Sequence, residues 1–402
     1  MSSPTQNPVR RRRVFYIPGY DPIHPRRYRE LYRKEAAGQA RISGYEIDLK
    51  AKSGSERYGW IVSGQIDGQL TEADFEVLVW SDIVRNSMDT GILGTYAALA
   101  KTAWVYITSG ALFRLMRLRK GPVIAALYPV GFLLGQLALA LLLAWWAGQL
   151  LSLIHPVLAW AGLVCVPFVL EWFRRKDNKF FAYYLMHDYA YSARHRGADP
   201  PELEARMAEF TTAISAAMQE EVDEVLVVGH SSGAHLAVSV LSDVIRAGGA
   251  DGKTPALSFL SLGQVVPMVS FLPGAHRLRR DLNFLSAREE LTWVDVTAPG
   301  DGCAFALCDP VGVSGVAPTR QRWPLILSAA FTQTLSPARW KELRWRFFRL
   351  HFQYLCAFDR PRDYDYFQIT AGPVTLAARF EDRAPSPSRI ETPVNRFTEI
   401  TP

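Results

Sequence analysis

The sequence predicts an α/β fold: a mostly parallel sheet flanked by helices and interrupted by a two-helix transmembrane insertion. Three observations carry that expectation. Short apolar runs alternate with helix-patterned stretches on both sides of the middle of the chain, which is the signature of strands joined by crossover helices. Fifty consecutive residues, Gly121 to Leu170, contain no Asp, Glu, Lys or Arg. A Gly-x-Ser-x-Gly stretch, Gly229 to Gly233, stands between an apolar run and an Ala/Val/Leu-rich segment.

In chain order, Arg10 to Arg13 read as part of a basic, solvated tail (1–13) with no apolar run suited to a secretory signal. Val14–Ile17 is the first strand candidate, stopped by Pro18-Gly19. Pro25 to Ala40 reads as a helix, Gly44–Leu49 as a second strand and Phe75–Trp80 as a third, so 14–82 forms the first part of the α/β domain. A linker follows over 83–120. Within it Thr95 to Phe113 carries one charge, Lys101, and fits either an interfacial helix or a packed amphipathic one.

The uncharged stretch sets a hairpin over 121–173. A bilayer core takes about 20 apolar residues per helical span, so fifty residues hold two spans and a turn, placed at Leu151 to Pro156. Trp145, Trp146, Trp160 and Trp172 suit an aromatic belt. Arg114, Arg117, Arg119 and Lys120 precede the hairpin, and Arg174, Arg175, Lys176 and Lys179 follow it. Positive-inside bias then puts both flanks in the cytoplasm, with the lipid bilayer as a partner.

The second part of the domain spans 174–382. Pro201 to Glu221 reads as a helix, Val225–Val228 as a fully apolar strand and Ala234 to Ala247 as the next helix. Leu257–Leu262, Leu291–Val296 and Tyr366–Thr370 read as further strands, and 383–402 as a loose tail.

Composition bounds the function. The 402 residues carry 45 Lys+Arg against 39 Asp+Glu, and 49% are hydrophobic against 21% charged, which excludes a disordered chain. Four cysteines in this length do not make a disulfide scaffold and suit a reducing compartment. Cys303-x4-Cys308 lacks partners at zinc spacing, so no metal is expected. No Gly-rich phosphate loop is present, no cofactor is implied, and no nucleic-acid partner is expected.

The chemistry lies at residues 229–233. In a turn this tight Gly229 and Gly233 allow close backbone approach, His230 enters the bend, and Ser231 sits strained at its tip beside a helix N-terminus. On these residues the chain resembles the α/β-hydrolases of the serine esterase and lipase type, over about Val14–Asp82 and Pro201–Gly372, with the hairpin as an insertion foreign to that fold. The resemblance implies Ser231 as nucleophile and a triad in the chain order nucleophile, acid, histidine. His235, His276 and His351 follow the elbow, and His351 alone also follows the candidate acids, so His351 is the expected base. Asp301, in the loop beyond the Leu291–Val296 run, is the expected acid, with Asp295 as the alternative. The implied oxyanion donors are the amides of Ser232 and of Tyr20, in the Pro18-Gly19-Tyr20 loop. The expected activity is hydrolysis of carboxylic esters or thioesters, including lipid-derived ones. Acyl transfer by the same triad, or an inactive membrane scaffold on this fold, are the alternatives.

Overall fold

The computed structural model describes residues 8–52, 54, 57–250 and 255–401. Eight strands form one mixed sheet: β1 (Arg11–Ile17), β2 (Glu46–Ala51), β3 (Gly59–Ile66), β4 (Gln69–Val77), β5 (Glu224–His230), β6 (Ala256–Leu262), β7 (Leu291–Thr297) and β8 (Leu325–Ser328). Their order across the sheet is β2-β3-β4-β1-β5-β6-β7-β8. From β4 through β8 every neighbouring pair is parallel, and β2, β3 and β4 form an antiparallel meander at one edge. The central strands are buried on both faces, as a sheet with helices on each side requires. One apolar cluster joins the helices 201–217, 232–246 and 276–286 to one face. A second joins helix 26–43 and the segment 331–380 to the other.

Parallel register aligns the carboxyl ends of four strands. Ile17 pairs with Gly229, His230 with Leu262, and Leu262 with Val296. The loops that leave these strands therefore open along a single edge, where open α/β sheets form their crevices.

Three expectations are corrected. The Arg10–Arg13 run is no solvated tail: Arg11 to Arg13 open β1, and Arg12 is wholly buried with its Nε 2.6 Å from Glu224. Its remaining guanidinium nitrogens donate to the carbonyls of Gly372 and Val374, which is how a charge is tolerated in the interior. Residues 1–7 of that tail lie outside the described residues. Tyr366–Thr370 is helix, not strand, because the Asp365 carboxylate accepts from the amides of Phe367 and Gln368 and caps Tyr366–Ala371. The described part of the last segment, 383–401, has little regular structure but is fixed along the domain. Ser386 donates to Ile326, the Asn395 side chain to Ser270, and Arg279 to the Glu399 carbonyl.

Between β4 and β5, the 95–113 stretch splits at Gly110 into helices Ile92–Thr108 and Ala111–Leu118. Lys120–Ser152 is one helix, and Pro156–Val164 continues as a 3-10 helix into Cys165–Arg175. Two helices are thus long and apolar enough to cross a membrane, and only 22% and 11% of their most apolar windows are buried inside the protein. At about 1.5 Å per residue the first is about 50 Å long, beyond the ~30 Å of a bilayer core. Its first turns are used otherwise: Val123 and Leu133 are buried against the domain, and the Leu133 carbonyl accepts from Tyr96.

Candidate active site

Ser231 is the residue between β5 and the helix Ser232–Arg246, and it is held at φ +56° and ψ −122°. For a residue with a side chain that backbone is strained. Its surroundings enforce it. The Ser231 amide donates to the Leu262 carbonyl at 2.9 Å. A side chain at Gly229 would reach the Gly233 carbonyl at 2.7 Å, and one at Gly233 would collide with the Ile17 carbonyl. Both glycines of the motif are therefore required by close approach, as the sequence implies.

The end of β1 lies over this turn. A Cβ added to Gly19 would sit 3.0 Å from the Ser231 Cβ and 3.5 Å from its Oγ. The Trp80 indole fixes this loop by donating to the Pro18 carbonyl at 2.9 Å. The Tyr20 amide donates to no described group, and the Ser232 amide, first in its helix, has no intrahelical acceptor. The Tyr20 and Ser232 amides are thus both uncommitted among the described residues.

Asp301 and His351 meet across fifty residues of chain. His351 Nδ1 lies 2.7 Å from Asp301 Oδ2 with both side chains buried. Asp301 also accepts from the Tyr354 hydroxyl at 3.0 Å and from the Cys303 amide at 2.9 Å. Burial by itself would raise the Asp301 pKa, but His351 and these donors outweigh it and hold the carboxyl below its ordinary value. An Nδ1–H facing this carboxylate leaves Nε2 as the basic nitrogen. That Nε2 is buried and has no hydrogen-bond partner among the described residues.

The ring of His351 stands near the elbow, since a Cβ on Gly263, the residue after Leu262, would lie 3.0 Å from its Cε1. The Ser231 hydroxyl, however, makes no hydrogen bond to His351. The structure thus pairs His351 with Asp301 but does not bond the imidazole to the serine. His351 ends the short helix Phe347–His351 and is followed by a 3-10 turn.

Asp295, the alternative acid, is not paired with His351. It lies inside β7, accepts from the Ser261 hydroxyl at 2.6 Å and leaves Oδ2 without a partner. Burial pushes its pKa up to about 8.

Two supporting residues were not assigned these roles from sequence. The His230 Nε2–H donates to the His351 carbonyl at 3.0 Å, and the two rings lie 4.8 Å apart. Burial, followed by the neighbouring His351, pushes His230 down to about 3, so it remains neutral. Tyr354 accepts from the Ala298 amide while donating to Asp301 and so ties the acid's loop to the base's turn. His235 is remote from this pairing, and burial lowers it to about 4.

One group of metal-ligand type occurs among the described residues: Asp301, Cys303 and His351, with ligand atoms within 4.8 Å of one another. Burial raises the Cys303 thiol well above its ordinary value, which disfavours the thiolate a metal takes. His351 Nδ1 is already committed to Asp301, so the set fits an acid–base pair better than a metal centre. The four cysteines are free.

Comparison with protein-family models, with curated proteins and with solved structures returned no match.

Proposed function

We propose that the protein is a membrane-anchored serine hydrolase of carboxylic esters or thioesters, built on an α/β-hydrolase-like fold. The observation that carries this reading is the buried 2.7 Å Asp301–His351 contact at the same sheet edge as a serine held at positive φ. Backbone strain at the serine, two uncommitted amides beside it and an imidazole oriented by a carboxylate are the parts such a site needs.

In this mechanism the Ser231 oxygen attacks the acyl carbon while His351 Nε2 takes the hydroxyl proton. Asp301 stabilises the resulting imidazolium, and the Tyr20 and Ser232 amides receive the charge on the carbonyl oxygen. The imidazolium returns the proton to the departing alcohol or thiol as the bond to it breaks. Water then adds to the acyl-enzyme, again losing its proton to His351, and the acid and free serine are released. In this reading the apolar hairpin serves as the bilayer anchor, and the positive-inside bias of its basic flanks favours a cytoplasmic site.

The test is labelling of membranes with a fluorophosphonate probe. Wild type is expected to label and Ser231→Ala to remain unlabelled, whereas equal labelling of both, or of neither, refutes the proposal. A cysteine-accessibility scan in which positions 119 and 176 react from outside the cell would refute the orientation.

A further inference from the structure

A narrow cleft adjoins the serine turn on the side of Ser232 and contains about 20 Å³, room for little more than one water-sized group. It is unusual in what lines it. Tyr20, Trp80 and Tyr191 form an aromatic corner, with ring centroids 5.7 to 6.1 Å apart. Asp188 and Asp199 also face it, and neither forms a hydrogen bond or ion pair among the described residues. Arg277, whose charge Asp199 feels, is already engaged by Glu204, Asp243 and Asp281. Asp188 feels His351 but is not bonded to it.

A second, independent feature points to a missing hydrogen-bond donor. Two further side chains of the lining, Tyr191 and His235, each hold a buried polar atom without a partner: the phenol oxygen and Nδ1. Buried polar atoms are nearly always satisfied. Burial pushes the His235 pKa down to about 4. The cleft therefore presents two carboxyls and three aromatic rings, and neither lysine nor arginine lines it.

We propose that this cleft receives a protonated primary amine of the substrate, held by Asp188 and Asp199 against the rings of Tyr20, Trp80 and Tyr191. The volume suits an ammonium group and is too small for an alkyl chain or a trimethylammonium. Carboxylates satisfy the charge, and the ring faces add cation–π attraction in a desolvated setting. Burial pushes both acids up to about 7 in the empty cleft, and a bound cation restores their ionised form. The assignment rests on Ser231 being the nucleophile and narrows the substrate to amine-bearing esters, of which aminoacyl esters are the simplest class.

The experiment compares p-nitrophenyl 5-aminopentanoate with p-nitrophenyl hexanoate, in which a methyl replaces the ammonium, on the detergent-solubilised full-length protein. Wild type is expected to favour the amine ester at least tenfold in kcat/KM. Asp199→Asn is expected to reduce that preference to about unity. Equal turnover of the two esters by wild type, or preference for hexanoate, overturns the proposal. Failure of the hydrolase reading looks different: neither ester is turned over and no fluorophosphonate labelling occurs. In that event calorimetric titration with butylamine hydrochloride decides. Saturable binding that Asp188→Asn and Asp199→Asn weaken at least tenfold supports the cleft, and absence of binding by wild type refutes it.

Discussion

Asp301→Asn isolates the role of the acid with almost no change in shape. The Asp301 carboxylate accepts three hydrogen bonds, from His351 Nδ1 at 2.7 Å, the Tyr354 hydroxyl at 3.0 Å and the Cys303 amide at 2.9 Å. An asparagine oxygen can keep the Cys303 bond, which turns its NH2 toward Nδ1. Two donors then oppose each other, and the imidazole moves its proton to Nε2, the nitrogen that must accept from Ser231. Loss of the correct tautomer in a triad of this type lowers kcat by about 10⁴, or roughly 5.5 kcal/mol of transition-state stabilisation. The assay is initial-rate hydrolysis of a p-nitrophenyl ester, with circular dichroism to confirm folding. Asp301 also gives a stability signature. Its folded pKa lies below its ordinary value, so its contribution is present above about pH 4 and is lost as pH falls through the folded pKa. The variant is expected to lose that acid-side component. A kcat within tenfold of wild type in a folded Asp301→Asn protein would refute the assignment, as would a larger loss from Asp295→Asn.

Asp295 carries the opposite sign. Its folded pKa of about 8 means the native state binds the extra proton, so stability falls as pH rises from about 4 to 8. Asp295→Asn is expected to flatten that slope and to raise the melting temperature at pH 8 while activity is retained; a lower melting temperature at pH 8 counts against this. Gly19→Ala places a methyl 3.0 Å from the Ser231 Cβ and is expected to lower kcat/KM by about 10- to 100-fold through displacement of the nucleophile, with an unchanged rate counting against the oxyanion loop. Arg12→Ala leaves Glu224 at zero exposure with only Ser258 and Leu376 as donors and is expected to cost about 3–5 kcal/mol in denaturant unfolding. A loss under 1 kcal/mol would show that the pair is not buried.

What the sequence made legible was whatever is enforced locally. The serine turn is one case, since its two glycines, its strand and its helix all lie within a few residues of one another. The antiparallel β3–β4 hairpin carried an equally local signal that the strand reading passed over. Asp67-Gly68 both adopt positive φ between Ile66 and Gln69, the pattern of a two-residue hairpin turn. The four-residue β8 has too few positions for alternation to register. Arg12 shows a different limit: a run of arginines looks solvated until its partner, Glu224, is brought alongside from more than two hundred residues away. The same applies to His230 and Tyr354, whose roles exist only through contacts with His351 and Asp301. Such pairings depend on register between distant strands, and no window of sequence contains them.

The place of the insertion ties the apolar helices to the candidate site. It enters the chain between β4 and β5, and its foot touches both halves of the site. Arg119, just before the first apolar helix, donates to the Ala306 carbonyl at 2.9 Å, and Gly121 approaches Gly302 so closely that a Cβ there would lie 3.6 Å from the Gly302 Cα. These contacts support the loop that carries Asp301. After the second apolar helix, the Tyr184 hydroxyl donates to the Tyr20 carbonyl, and Phe181 and Tyr184 pack on Phe348, three residues before His351. The Asp301 loop, the helix that ends at His351 and the Tyr20 loop, which carry the proposed acid, base and oxyanion donor, are therefore all braced by residues that flank the apolar helices. Excision of 121–173 removes Gly121 from beneath the acid's loop and joins Arg119 and Tyr184 through a short link in place of a long hairpin. A more soluble protein made that way is expected to lose activity even with all three triad residues intact. Retention of full kcat by the excised chain would show that the bracing is incidental.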